Sequence, residues 1–178
     1  MKKRLTLLQM DVHVNDVEYN YNRVQELLTQ SLTENPDIIV LPETWNTGFH
    51  PSDDLITIAD RNGERTKSLL TAFAKEHNVN IVGGSVAVAK DDLVFNTSYA
   101  YNREGTLVGE YSKMHGFSPA KEDKYFASGT HTTHFELDGI PCSTVICYDI
   151  RFPELVRMAA LPGTELLFVP AQWPTMRL

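Results

Sequence analysis

Apolar positions along the chain follow two rhythms. Between Asp16 and Leu32, the residues Tyr21, Val24, Leu28 and Leu32 recur at intervals of three and four, the period of an amphipathic helix. Asn15 or Asp16 is placed to cap its start and Glu18 suits its first turn. Asn35-Pro36 ends it, because the residue before a proline is pushed out of the helical region. A second helix is expected over Thr66, Leu69, Leu70, Phe73, Ala74 and His77, stopping near Asn78. A third opens at Pro153, continues through Leu155, Val156 and Ala159, and ends at Pro162-Gly163. The other rhythm is the short apolar run that reads as a strand. Such runs are RLTLLQM (4–10), DIIVLPE (37–43), VNIVGGSVAVA (79–89), LVFNTSYAYN (93–102), LVGEYSK (107–113) and ELLFVPAQW (165–173), with a hairpin of 133–137 and 141–147 around Asp138-Gly139. DIIVLPE is apolar almost throughout, as befits a central strand covered on both faces. Turn-formers at Asp91-Asp92 and from Asn102 to Gly105 join successive runs. Helices alternating with apolar strands, plus consecutive hairpins, predict an α/β fold with a mixed sheet.

Composition and charge remove several function classes. The 178 residues are most simply one domain, large enough to bury a core, and 42% hydrophobic with 22% charged residues is ordinary for a globule. A net charge of −7 with scattered basic residues argues against nucleic acid as a partner. In the opening MKKRLTLLQMDV, Gln9 and Asp11 interrupt the apolar stretch before it reaches the length of a signal peptide. No run approaches the roughly 18 apolar residues of a membrane span. Cys142 and Cys147 lie five apart, so on one strand they face opposite sides and do not bridge. A reduced, cytoplasmic protein is expected, and the sequon Asn96-Thr97-Ser98 is read as chance.

Three ionisable residues end apolar runs: Glu43, Lys113 and Cys147. Strand ends carry functional groups because the sheet holds them rigidly while the open end admits substrate. Taken singly each has a plainer reading, as a helix-start carboxylate, a solvated edge charge and a core thiol. Taken together their chemistries interlock. A thiol attacks as thiolate and needs a cation or base nearby. A carboxylate can take the thiol proton and return it to a leaving amine, while an ammonium lowers the thiol pKa and stabilises an oxyanion. A helix starting near Pro153 adds the field of its N-terminus. His131 and His134 lie three apart without a third ligand at a recognisable spacing, so no metal site is expected. Gly83-Gly84 inside a strand pattern reads as a bulge or a close backbone approach.

LPETWNTGF (41–49), YSKMHGF (111–117) and CYDIRFPE (147–154) resemble, in order, the three signature segments of the nitrilase superfamily of carbon–nitrogen hydrolases. The resemblance implies an α/β fold, the four-layer α-β-β-α sandwich of that superfamily, in a single domain spanning 1–178. It also implies a chain that normally runs further, so this sequence is expected to be a C-terminally incomplete piece, stopping at Pro174 to Leu178 with core surface left uncovered. By position the family's catalytic residues correspond to Glu43, Lys113 and Cys147, with Glu122, rather than its neighbour Asp123, as a supporting carboxylate. Glu43 is then general base, Cys147 forms a thioester, and Lys113 with the N–H of Tyr148 holds the oxyanion. No metal or organic cofactor is implied. The segments look closest to the omega-amidase branch, which takes 2-oxoglutaramate and 2-oxosuccinamate. Arg151 is the candidate for the substrate carboxylate, unless it pairs locally with Glu154. Phe117, Tyr148 and Trp173 are expected in the substrate pocket. Alternatives are a nitrile, an N-carbamoyl amino acid or another small amide, or a non-catalytic binding relative. The partners implied are a small-molecule amide and further copies of the chain, as a homodimer or larger assembly, with neither nucleic acid nor membrane.

Overall fold

The computed structural model describes residues 2–49 and 51–173. In chain order its elements are β1 (Leu5–Leu7), α1 (Val17–Ser31), β2 (Ile38–Val40), α2 (Leu55–Ile58), β3 (Asp60–Arg61), α3 (Glu64–His77), β4 (Asn80–Val82), β5 (Val86–Lys90), β6 (Leu93–Tyr101), β7 (Leu107–Ser112), α4 (Glu122–Tyr125), β8 (His134–Leu137), β9 (Ile140–Thr144), α5 (Pro153–Ala160) and β10 (Leu166–Phe168). None of these helices is long and apolar enough to cross a membrane.

Strand β2 explains the apolar run that contains it. Ile39 packs toward Tyr21, Val24 and Leu28 of α1 and Leu70, Phe73 and Ala74 of α3. Ile38 and Val40 point the other way, into a cluster with Phe135, Leu137, Cys142 and Phe168 of a second sheet. The larger sheet runs β1-β2-β4-β6-β5-β3, with β7 also paired to β6. Its β1, β2 and β4 are parallel, while β6 is antiparallel to β4, β5 and β7. The smaller sheet is β10-β9-β8, in which β10 returns parallel to β9 after α5. Leu155 and Ala159 of α5 cover the far side of that sheet, against Val145, Leu167 and Val169. Helices, large sheet, small sheet and helix therefore stack as the expected α-β-β-α sandwich.

Several boundaries differ from the sequence pattern, each for a physical reason. The run 4–10 yields only three strand residues, at a sheet edge. Leu5 and Leu7 pair with Ile38 and Val40 and so face the side of the smaller sheet, which does not reach over them; Leu7 is 71% exposed. Residues 174–178, on which the expectation of an incomplete chain rests, lie outside the described residues. The run 79–89 breaks at Gly83–Ser85, where Gly84 has φ +61 and a Cβ there would lie 2.0 Å from the Pro42 carbonyl oxygen. That is a close backbone approach, which only glycine permits. Asp16 caps α1 by accepting the Tyr19 N–H at 3.1 Å, whereas Asn15 is left-handed and outside the helix. The run 141–147 leaves the sheet after Thr144, and 165–173 is strand only over 166–168. The sequon lies in the interior of β6, with Asn96, Thr97 and Ser98 all buried. Among the described residues no cluster of His, Cys, Asp or Glu is arranged to hold a metal.

The two sheets are also tied by charge. Arg103, in the β6–β7 turn, donates to both oxygens of Asp138 in the β8–β9 turn at 2.8 and 2.7 Å, and to Asp37 at 2.8 Å. Lys3 donates to Asp138 at 2.8 Å. The Arg103 hydrogen bonds, reinforced by Lys3, hold the Asp138 carboxyl well below the usual carboxylate range. Its stabilising effect is therefore complete above about pH 4, the ordinary value, and is lost as pH falls through the depressed native value. Arg103→Gln is expected to lower stability by about 1 kcal/mol near neutrality. In denaturant unfolding at a series of pH values, the gap from the wild type should narrow below pH 4.

Candidate active site

Four segments converge where the strands of both sheets end. The first is the loop leaving β2, whose backbone is fastened to the β4–β5 crossing. Ser85 donates its N–H to Pro42 O at 3.0 Å, Thr44 N–H donates to Ser85 Oγ at 3.0 Å, and Trp45 Nε1 donates to Gly83 O at 2.9 Å. This places Glu43, which is fully buried. The second is the residue after β7, Lys113, whose N–H donates to Asn96 O of β6 at 2.8 Å. The third is α4, a single turn that brings in Glu122. The fourth is a 3₁₀ turn from Cys147 to Arg151, following the extended and buried Val145-Ile146. Cys147 has φ +46, unusual for a non-glycine residue and costing of order 1–3 kcal/mol. Its own N–H donates to Pro170 O at 2.9 Å.

Lys113 Nζ is the centre of the cluster. It donates to Glu43 Oε1 at 2.8 Å and to Glu122 Oε2 and Oε1 at 2.7 and 3.1 Å. Glu43 Oε1 also accepts from Asn96 Nδ2 at 3.1 Å, and its Oε2 from the Gln172 N–H at 3.0 Å. The charge of the same Glu43 carboxylate bears on the Cys147 thiol, which lines the cleft beside Gln172. Glu122 Oε2 accepts the Phe117 N–H at 2.6 Å, while Asp123 points to solvent. Glu43, Lys113, Glu122 and Cys147 are thus brought together, although they are far apart in sequence.

Burying two carboxylates around one ammonium sets the electrostatics. Burial, together with the repulsion of Glu122, raises the Glu43 carboxyl above its ordinary value despite the attraction of Lys113. Burial alone would lower the Lys113 ammonium, but the charges and hydrogen bonds of Glu43 and Glu122 outweigh it, and its pKa is raised. Lys113 lowers the thiol pKa, as expected, but other effects outweigh it. Burial, and then the charge of Glu43, push Cys147 up to about 12, against which the pull of Lys113 is the smaller effect. The resting group is a neutral thiol near a carboxyl whose own pKa is raised.

Beside the thiol lies a small cleft lined by Phe49, Phe117, Cys147, Tyr148, Arg151, Gln172 and Trp173. It contains all four residues expected in the substrate pocket. The Phe117 and Tyr148 rings meet edge-on at 5.1 Å. The Arg151 guanidinium stands 5.8 Å above the Trp173 ring. Arg151 forms no ion pair with Glu154 or any other carboxylate among the described residues. Sequence reasoning missed Phe49, Asn96 and the Gln172 N–H. For Asn96 a signal existed, since Asn-Thr-Ser breaks the polarity of an otherwise apolar central strand. A backbone donor leaves no mark in sequence.

Fold and site define a class: an α-β-β-α sandwich with a buried acid–lysine cluster against a cysteine. The chain belongs to the carbon–nitrogen hydrolase family, whose sequence model matches residues 4–177. It is 40% identical over 178 residues to the 2-oxoglutaramate amidase of Bacillus subtilis (strain 168), covering all of this chain and 68% of that protein. It is 30% identical over 181 residues to the omega-amidase NIT2 of Danio rerio, covering 95% of this chain and 63% of that one. A CN-hydrolase superfamily protein from Xanthomonas campestris, solved with an arsenic adduct in its active site, superposes with a TM-score of 0.85 at 29% identity, covering 98% of this chain and 66% of that chain. The chain thus spans about two thirds of the length of these relatives.

Proposed function

We propose that this carbon–nitrogen hydrolase is an amidase in which Glu43, Lys113 and Cys147 form the catalytic triad and Glu122 supports Lys113. The observation that carries this reading is the buried Lys113 ammonium bridging Glu43 and Glu122, with Glu43 also bonded by the N–H of Gln172, which lines one cleft with Cys147. Because the thiol is held neutral, proton removal accompanies attack instead of preceding it. Glu43 takes the proton as Sγ adds to the amide carbonyl carbon, and Lys113 Nζ holds the developing oxyanion. The Tyr148 N–H lies at the start of the 3₁₀ turn, where helical geometry offers no carbonyl partner, and is the second oxyanion donor. Glu43 then gives its proton to the nitrogen, the C–N bond breaks, and ammonia leaves a thioester on Cys147. Water, deprotonated by Glu43, adds to the thioester. The C–S bond breaks, the thiolate recovers its proton from Glu43, and the acid departs. No step calls on a metal or organic cofactor.

The substrate we propose is the omega-amide of a 2-oxo dicarboxylate, with 2-oxoglutaramate as the example. The Arg151 guanidinium at the cleft, without an ion pair among the described residues, supports this, since a planar fork suits a carboxylate. A charge-assisted hydrogen bond of this kind contributes about 1.5–3 kcal/mol. Arg151→Ala should therefore raise KM for 2-oxoglutaramate roughly 10- to 100-fold while leaving that for pentanamide, a neutral amide of equal length, nearly unchanged. Equal effects on both would refute the carboxylate assignment. Two free cysteines fit a reducing, cytoplasmic setting. The exposed Ile150, Met158 and Leu161 on and beside α5 support a homodimer or larger assembly.

A further inference from the structure

Asp149 follows Cys147 by two residues and is completely buried, yet no step above uses it. Its carboxylate accepts four hydrogen bonds. Oδ2 takes the Tyr111 hydroxyl at 2.7 Å and the Ile146 N–H at 3.0 Å. Oδ1 takes the His115 N–H at 2.9 Å and meets His115 Nδ1 at 2.9 Å. The partners belong to the two segments that carry reacting groups. Ile146 immediately precedes Cys147, while Tyr111 and His115 stand two residues before and two after Lys113. One carboxylate therefore fixes the approach to the nucleophile and both flanks of the lysine. The His115 ring is held further by stacking on Phe152, with centroids 3.6 Å apart and planes 9° from parallel.

We propose that Asp149 is a positioning residue that holds Cys147 in register with Lys113; this rests on the reading of those two as reacting groups. The backbone at Cys147 is strained, and such a conformation persists only where its surroundings over-determine it. The Ile146 N–H to the Asp149 carboxylate, the Asp149 N–H to Ile146 O and the Cys147 N–H to Pro170 O all restrain it, and Asp149 takes part in two of these. The donor set demands a carboxylate. The Tyr111 hydroxyl can turn and His115 can change tautomer, but the Ile146 and His115 amides only donate. An asparagine has one oxygen and one NH₂, so either orientation sets its NH₂ against one of those amides. Asp149→Asn therefore frees one of the two segments although its shape is nearly unchanged.

The test compares wild type, Asp149→Asn and Tyr111→Phe, with activity normalised to folded protein and with the rate of Cys147 carbamidomethylation by iodoacetamide followed by mass spectrometry. A displacement of about 1 Å in a reacting group costs on the order of 10²-fold. The expected result is a roughly 10²-fold fall in kcat for Asp149→Asn and roughly tenfold for Tyr111→Phe, with KM changed less than threefold. Cys147 alkylation should fall at least tenfold in Asp149→Asn. If that variant does not fold, Tyr111→Phe, which removes one hydroxyl, decides. Variants that lose thermal stability but keep wild-type kcat and alkylation rate overturn the proposal and leave Asp149 a structural residue. A wild type that releases no ammonia from any amide overturns the catalytic reading instead, and the alkylation rates alone then judge Asp149.

Discussion

Lys113→Ala is expected to reduce kcat/KM by roughly 10²–10³-fold, the usual consequence of losing one oxyanion donor. A second effect adds to this. In the wild type the ammonium lies 2.8 Å from Glu43 and 2.7 Å from Glu122, both buried. Its removal leaves two carboxylates without their shared cation, and breaking a buried pair typically costs about 3–5 kcal/mol. The variant relieves this by keeping a proton on one of them, which raises Glu43 further above its already elevated pKa and removes it as a base at neutral pH. The sign of the resulting pH dependence is fixed. A carboxyl whose native pKa is raised stabilises the fold below its unfolded value of about 4.3 and loses that contribution as pH rises through the native value. Thermal unfolding should show the variant closest to wild type near pH 4 and furthest from it near pH 8. A deficit that is independent of pH would mean that Lys113 does not compensate these charges.

The second large effect is expected from Gly84→Ala, a change remote from the chemistry in type but not in place. A Cβ at Gly84 would lie 2.0 Å from the Pro42 carbonyl oxygen and 2.7 Å from the Leu41 carbonyl carbon, both backbone atoms that no rotamer change can move. Gly84 also has φ +61, which disfavours any side chain. Gly139 separates the two causes, because it has φ +79 with nothing within 4 Å of a Cβ. Gly139→Ala should cost about 1 kcal/mol, the conformational part alone. Gly84→Ala should cost at least about 2 kcal/mol and also depress activity, because the displaced backbone carries Glu43 next in the chain. Denaturant unfolding and kcat of the two variants, measured side by side, check this. Equal stability losses would mean that the β4–β5 crossing yields to the new methyl group.

What was legible in the sequence follows from how much of each contact is written in side chains. The run DIIVLPE announced a strand covered on both faces, because both of its faces are packed. Gly83-Gly84 marked a bulge or a close approach, and the structure makes it a close approach, where a Cβ does not fit. Glu43, Lys113 and Cys147 stood out because polar groups interrupt apolar runs, and the family resemblance supplied their roles. Strand ends were overextended at 141–147 because Val145 and Ile146 stay buried after leaving the sheet, and burial, not pairing, is what apolar character records. The short α4 left no periodicity to find, so Glu122 came from the resemblance alone. The upward shift of the Cys147 pKa is not legible in sequence, because it comes from burial and the nearby Glu43 charge, neither of which spacing contains. The part played by Asp149 leaves no mark in sequence, because three of its four bonds are to groups that only the fold brings to it.

The central claim is that Cys147 is the nucleophile of an amidase. Ammonia release from 2-oxoglutaramate by the purified protein, with Cys147→Ser as the comparison, tests it most directly. The account predicts steady release by the wild type that falls to background in the variant while its fold is kept. Release that continues in Cys147→Ser at a comparable rate would contradict it, and would return the thiol to the status of a buried core residue.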